Sequence, residues 1–105
     1  MKLIVIDIGN TNVDVGFFTN GDLKSNAKIS TKDNKSEFEI ASTLQSLLKI
    51  DSNETDEIDI IISSVVPNKT VVVEKASKII NSKDPIVVNH DLAFPIVNKY
   101  NPPED

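Results

Sequence analysis

The 105-residue sequence has no cysteine, which excludes disulfides, thiolate metal sites and a cysteine nucleophile, and fits a reducing compartment. Arginine is missing too: all 11 basic residues are lysine, against 16 Asp and Glu, for a formal net charge of −5. No basic face can be assembled from them, so nucleic acid is not an expected partner. The one histidine, His90, rules out a histidine-based metal cluster. The 3 glycines, Gly9, Gly16 and Gly21, form neither G-x-x-x-x-G-K-[ST] nor G-x-G-x-x-G. Apolar runs such as 3–6 and 71–73 fall far short of the ~20 residues of a membrane span. One lysine, a short apolar run and then Asp7 do not read as a signal peptide. What remains for chemistry is carboxylates, hydroxyls, amides and backbone. That set suits phosphate and Mg²⁺ better than acyl transfer or redox work.

What is present reads as one globular domain: 39% hydrophobic and 26% charged residues are ordinary values. The first thirty residues read as a three-strand antiparallel meander. Residues 2–8 are rich in β-branched side chains, and Val13, Val15 and Phe17 alternate against Asp14 and Gly16. Asn20-Gly21 is a hairpin turn, since both residues tolerate positive φ, and residues 23–30 return as a third strand. Ser36 with Glu39 three places on forms a capping box, and Phe38, Ala41, Leu44 and Leu48, widened by Leu47, mark the buried stripe of a helix. Residues 51–57 are a polar connector. Residues 58–66 are an interior strand, because Ile60-Ile61-Ile62 is apolar on both faces, and Pro67 ends it. Residues 68–81 are read as a helix, in which Val72, Ala76, Ile79 and Ile80 have helical spacing. Val71-Val72-Val73 locally favours a strand, but a parallel strand at 85–88 needs a crossover to reach it. Residues 94–100 are a last extended stretch. The order is βββαβαβ, a mixed α/β layer.

The richest motif is the turn Asp7-Ile8-Gly9-Asn10-Thr11-Asn12. An Asp at the end of a buried strand can hold Mg²⁺. Gly9 lets backbone approach a phosphate without a Cβ in the way, and Asn10, Thr11 and Asn12 add side-chain donors. The same residues also suit any tight turn, and spacing alone leaves both readings standing. Ser63 and Ser64 read first as a strand end that caps the following helix, and His90 as a solvated loop residue. Lysines from Lys69 to Lys83 read as a solvated helix face.

The stretch D-I-G-N-T-N-V-D-V-G, from Asp7 to Gly16, resembles the first phosphate motif of the acetate and sugar kinase, Hsp70 and actin superfamily. Its Asn-Thr after Gly is most similar to type III pantothenate kinases. Ser63-Ser64-Val65-Val66-Pro67 resembles a second signature of that family, and Phe94-Pro95-Ile96 with Tyr100-Asn101-Pro102 a third, all in the family's order. The resemblance implies a ribonuclease H-like lobe of the actin-like ATPase superfamily over residues 1–105, and an ATP-dependent kinase that phosphorylates pantothenate, the first step towards coenzyme A. Asp7, Ile8, Gly9, Asn10, Thr11, Asn12, Val13 and Asp14 would form the ATP-phosphate loop, with Asp7 nearest the Mg²⁺. Tyr100 matches a tyrosine that contacts pantothenate; an ordinary half-buried aromatic is the other reading. The family also implies a monovalent cation (K⁺ or NH₄⁺), a homodimer in the full-length protein and a cytoplasmic location. After the tyrosine the family carries a G-x-D-R segment whose Asp is the general base. This chain stops at Asp105, before that segment, so the catalytic residue, second phosphate motif, cation site and second lobe are expected outside it, and the chain alone is expected to be inactive. Two other readings stay open: a non-catalytic nucleotide- or partner-binding lobe, and another kinase of the same superfamily.

Overall fold

The computed structural model describes residues 1–48 and 57–88. The chain runs β1 (Lys2–Ile8), β2 (Asn12–Thr19), β3 (Asp22–Ser30), α1 (Glu37–Leu48), β4 (Ile58–Ser64), α2 (Pro67–Ile80) and β5 (Ile86–Val88). The expected βββαβαβ order holds. One five-stranded sheet has the order β3-β2-β1-β4-β5, antiparallel across β1–β2 and β2–β3 and parallel across β1–β4 and β4–β5. The readings made for residues 51–56, His90 and residues 94–105, Tyr100 included, lie outside the described residues.

Strand alternation divides the sheet into two unlike faces. Ile4, Ile6 and Ile8 join Val13, Val15, Phe17, Ile60 and Ile62 in a core with Ile40, Ala41, Leu44, Leu47, Val73 and Ala76 of the two helices. The other face carries a smaller cluster, Val5 and Phe18 with Leu3 and Leu23. β1 is thus buried on both sides, as a central strand should be. Gly16 belongs to this second face. A Cβ there would lie 3.0 Å from the Phe18 ring, so the glycine makes room for that ring.

Local signals account for the ends of the elements. Asn20 and Gly21 take φ of 51° and 87°, the positive values a primed hairpin turn requires. The capping box forms as read: the Ser36 N–H donates to Glu39 Oε1 at 3.0 Å, and the Glu39 N–H to Ser36 Oγ at 3.2 Å. The Ser36 N–H holds the Glu39 carboxyl below its ordinary value. A depressed carboxylate stabilises the fold above the unfolded pKa and loses that contribution as pH falls through the folded one. The Ser36 amide resonance should therefore titrate with a midpoint below that of a free glutamate, and Glu39→Gln should abolish the titration. A midpoint at the free value would mean the box is not formed in solution.

Two readings need correction. Phe38 is exposed (69%), while Ile40 is buried. At 3.6 residues per turn Phe38 lies about 120° round the helix from Leu44, so the inward stripe is Ile40, Ala41, Leu44 and Leu47, with Leu48 partly buried against it as read. In α2 the buried residues are Val73, Ala76 and Ser77, with Val72 and Ile80 partly buried, and Ile79 faces water. Pro67 does not merely end β4, which already stops at Ser64; it is the first residue of α2. Its fixed φ and missing N–H suit that position. No described helix is long and apolar enough to cross a membrane.

Candidate functional site

The ends of β1, β3 and β4 and the start of β2 meet at one edge of the sheet, and the motif sits there. The Gly9 N–H donates to the Asn12 carbonyl at 2.9 Å, closing a two-residue turn through Asn10 and Thr11. Neither takes a positive φ, unlike the Asn20-Gly21 turn. Gly9 therefore does not present its own N–H outward. Its lack of a side chain matters because a Cβ would come within 3.3 Å of the Asn12 carbonyl oxygen.

The loop's carbonyls are engaged by the protein. The Ile8 carbonyl accepts from the Val65 N–H at 3.1 Å and the Thr11 carbonyl from the Thr31 N–H at 2.9 Å. The Gly9 carbonyl accepts from Thr31 Oγ1 at 2.8 Å, and the Asn12 carbonyl closes the turn. Carbonyl oxygens repel anions. Four of them fixed against protein donors leave a loop whose remaining polar groups can face one. Asn10 and Thr11 are exposed at the tip, and Asn12 is half-buried.

Behind the loop runs a polar row on the face away from both helices. Asp7 on β1 pairs with Asp14 on β2 and Ser63 on β4, and Asp14 pairs in turn with Lys28 on β3. Asp7 and Ser63 are buried. Lys28 Nζ lies 3.8 Å from Asp14 Oδ1 with both side chains partly in water, a contact of small energetic weight. Asp7 Oδ1 is buried and accepts no hydrogen bond, while the residue is engaged elsewhere. Val13, though in the motif, is a core residue and Ile8 likewise; their part in any site is through backbone. The structure thus brings Asp7, Gly9, Asn10, Thr11, Asn12 and Asp14 together.

Ser64 shapes the entry to α2: its Oγ accepts from the Val66 N–H at 2.9 Å and donates to the Val66 carbonyl at 3.1 Å. That is the plain structural reading of this residue. Thr31 and Lys28 were not singled out by the sequence; they reach the site through strand pairing, which no local spacing encodes.

Among the described residues no group of three or more His, Cys, Asp or Glu is arranged to hold a metal. A cation requiring an all-protein cage is not served here. Mg²⁺ keeps several waters and takes only one or two carboxylates beside substrate phosphates, and a buried carboxylate next to an anion-tolerant loop fits that demand.

Comparison with known proteins bears on the chain as a whole. The family model described as type III pantothenate kinase matches residues 3–105. A type III pantothenate kinase of Finegoldia magna is 38% identical over 104 residues, covering 98% of this chain and 40% of that protein. One from a Geobacillus species is 34% identical with the same coverage. The chain thus spans about 40% of the length of these curated relatives. The ROK hexokinase structure from Thermus thermophilus superposes with a TM-score of 0.53 at 16% identity, over 85% of this chain and 34% of that one. At that identity the likeness speaks for the fold, an α/β lobe of the actin-like ATPase kind. Sheet order, motif and matched span converge: this chain belongs to the type III pantothenate kinase family.

Proposed function

We propose that this chain is the N-terminal lobe of an ATP-dependent kinase that phosphorylates pantothenate, and that the edge formed by residues 7–14 binds the nucleotide's phosphates. The observation that carries the reading is the loop itself, with four carbonyls held by protein donors beside the buried Asp7. Asp7 is the residue that would hold Mg²⁺. The metal would supply charge neutralisation on the transferring phosphoryl group. Asn10, Thr11 and Asn12 donate to phosphate oxygens, and Asp14, paired with Lys28, borders the site. Tyr100 is assigned to pantothenate by family resemblance. A monovalent cation, the homodimer and a cytoplasmic location belong to the same proposal and rest on the family alone.

Phosphoryl transfer depends on positioning and charge stabilisation around an in-line geometry. One lobe provides one wall of that arrangement. Residues 1–105 by themselves should release no ADP in a coupled assay with Mg-ATP and pantothenate. The product of the coding sequence read in frame past codon 105 should do so only when pantothenate is present. Turnover by the 105-residue chain, or a longer product that phosphorylates a sugar and leaves pantothenate untouched, would overturn the proposal.

A further inference from the structure

We infer that Thr31 is a positioning residue for the phosphate loop, its hydroxyl fixing the Gly9 carbonyl and with it the peptide that joins Gly9 to Asn10; this rests on the reading of residues 7–14 as a phosphate site. The two hairpins of the meander are built differently. The Asn20-Gly21 turn uses positive φ at both central residues, which matches the natural twist of the flanking strands. The Asn10-Thr11 turn uses none, and such a turn tends to splay its strands. A hairpin of that kind needs an outside hold.

Thr31 supplies it from the end of β3. Its side chain donates to the Gly9 carbonyl at 2.8 Å, and its own N–H to the Thr11 carbonyl at 2.9 Å. One residue therefore grips the first leg and the tip of the turn, across a sequence separation of 22 from Gly9. Without the hydroxyl the Gly9 carbonyl loses its donor and becomes free to rotate towards an incoming phosphate, where it would repel the anion. The backbone bond to Thr11 survives any side-chain change, so the hydroxyl can be tested by itself.

The test compares Thr31→Val, which keeps the shape and removes the donor, with Thr31→Ser, which keeps the donor. Two quantities are read for the whole 105-residue chain: amide exchange at Gly9, whose N–H closes the held turn on the Asn12 carbonyl, and the dissociation constant for Mg-ATP. Thr31→Val should speed Gly9 exchange and weaken Mg-ATP each by about tenfold, the scale of one lost hydrogen bond. Thr31→Ser should stay within about twofold of wild type in both, a rescue expected when the hydroxyl itself is the active feature. Unchanged Gly9 exchange in Thr31→Val overturns the inference. So does a rise shared equally by the amides of β1 and β4, which would mean general loosening. Faster Gly9 exchange with unaltered Mg-ATP affinity denies any role in positioning for the ligand. If wild type shows no Mg-ATP binding at all, the phosphate-site reading fails and takes the role with it, and the exchange data still report separately on the hydroxyl.

Discussion

Asp7→Asn should raise the melting temperature of this chain and weaken its binding of Mg-ATP at least tenfold. The two effects have one cause. Asp7 is only 7% exposed, and it stands opposite Asp14 on the neighbouring strand. Burying a carboxylate is costly, and a like charge across the ladder adds to the cost. An asparagine keeps the shape and removes the charge, which returns part of the roughly 1–3 kcal/mol that an unsatisfied buried polar atom such as Asp7 Oδ1 costs. For a chain of this size each kcal/mol corresponds to roughly 4–8 °C. The loss in binding follows because a neutral amide is a poor ligand for a hard cation. A tenfold loss is only ~1.4 kcal/mol, a modest demand on one metal contact. Asp14→Asn should do less in both respects, since Asp14 is more exposed and faces Lys28 at 3.8 Å. A destabilised Asp7→Asn variant with unaltered Mg-ATP affinity would show that Asp7 serves the fold and not a metal.

The second large effect concerns the core. Phe17→Ala should lower the urea midpoint drastically, whereas Phe38→Ala should leave it in place. Phe17 is fully buried between the sheet and the helices, and Phe38 is 69% exposed at the start of α1. Truncating a buried Phe costs about 3–5 kcal/mol, a large part of the roughly 5–15 kcal/mol that stabilises a domain. A surface truncation falls within about 0.5 kcal/mol. The contrast tests the phase of α1 as well as the core. Were Phe38 packed inward beside Ala41, both variants would be costly.

What could be read from the residues alone depended on how local each cause is. The Asn20-Gly21 turn and the Ser36–Glu39 box are set by neighbours within four positions, and both form as expected. The helix at 67–80 defeats the strand preference of Val71-Val72-Val73 because a parallel β5 needs a crossover, a constraint of topology that sequence order does disclose. Phase is harder. In α1 and α2 the period was legible, but not every periodic residue faces inward, because Phe38 and Ile79 sit at the margin of an apolar stripe. Asp7 was marked by its motif. Thr31 and Lys28 were not, since each meets the site only through pairing of β3 with β2 or a contact back to the loop. No spacing rule links Thr31 to Gly9.

The most direct test of the phosphate site is a titration of the 105-residue chain with Mg-ATP, followed residue by residue through its backbone amide resonances. The amides of Gly9 to Asp14 should move first and furthest, with Thr31 and Ser63 following, and the response should shrink sharply when magnesium is withheld. If those resonances stay fixed while the nucleotide shifts others, or shifts none, residues 7–14 form only a turn.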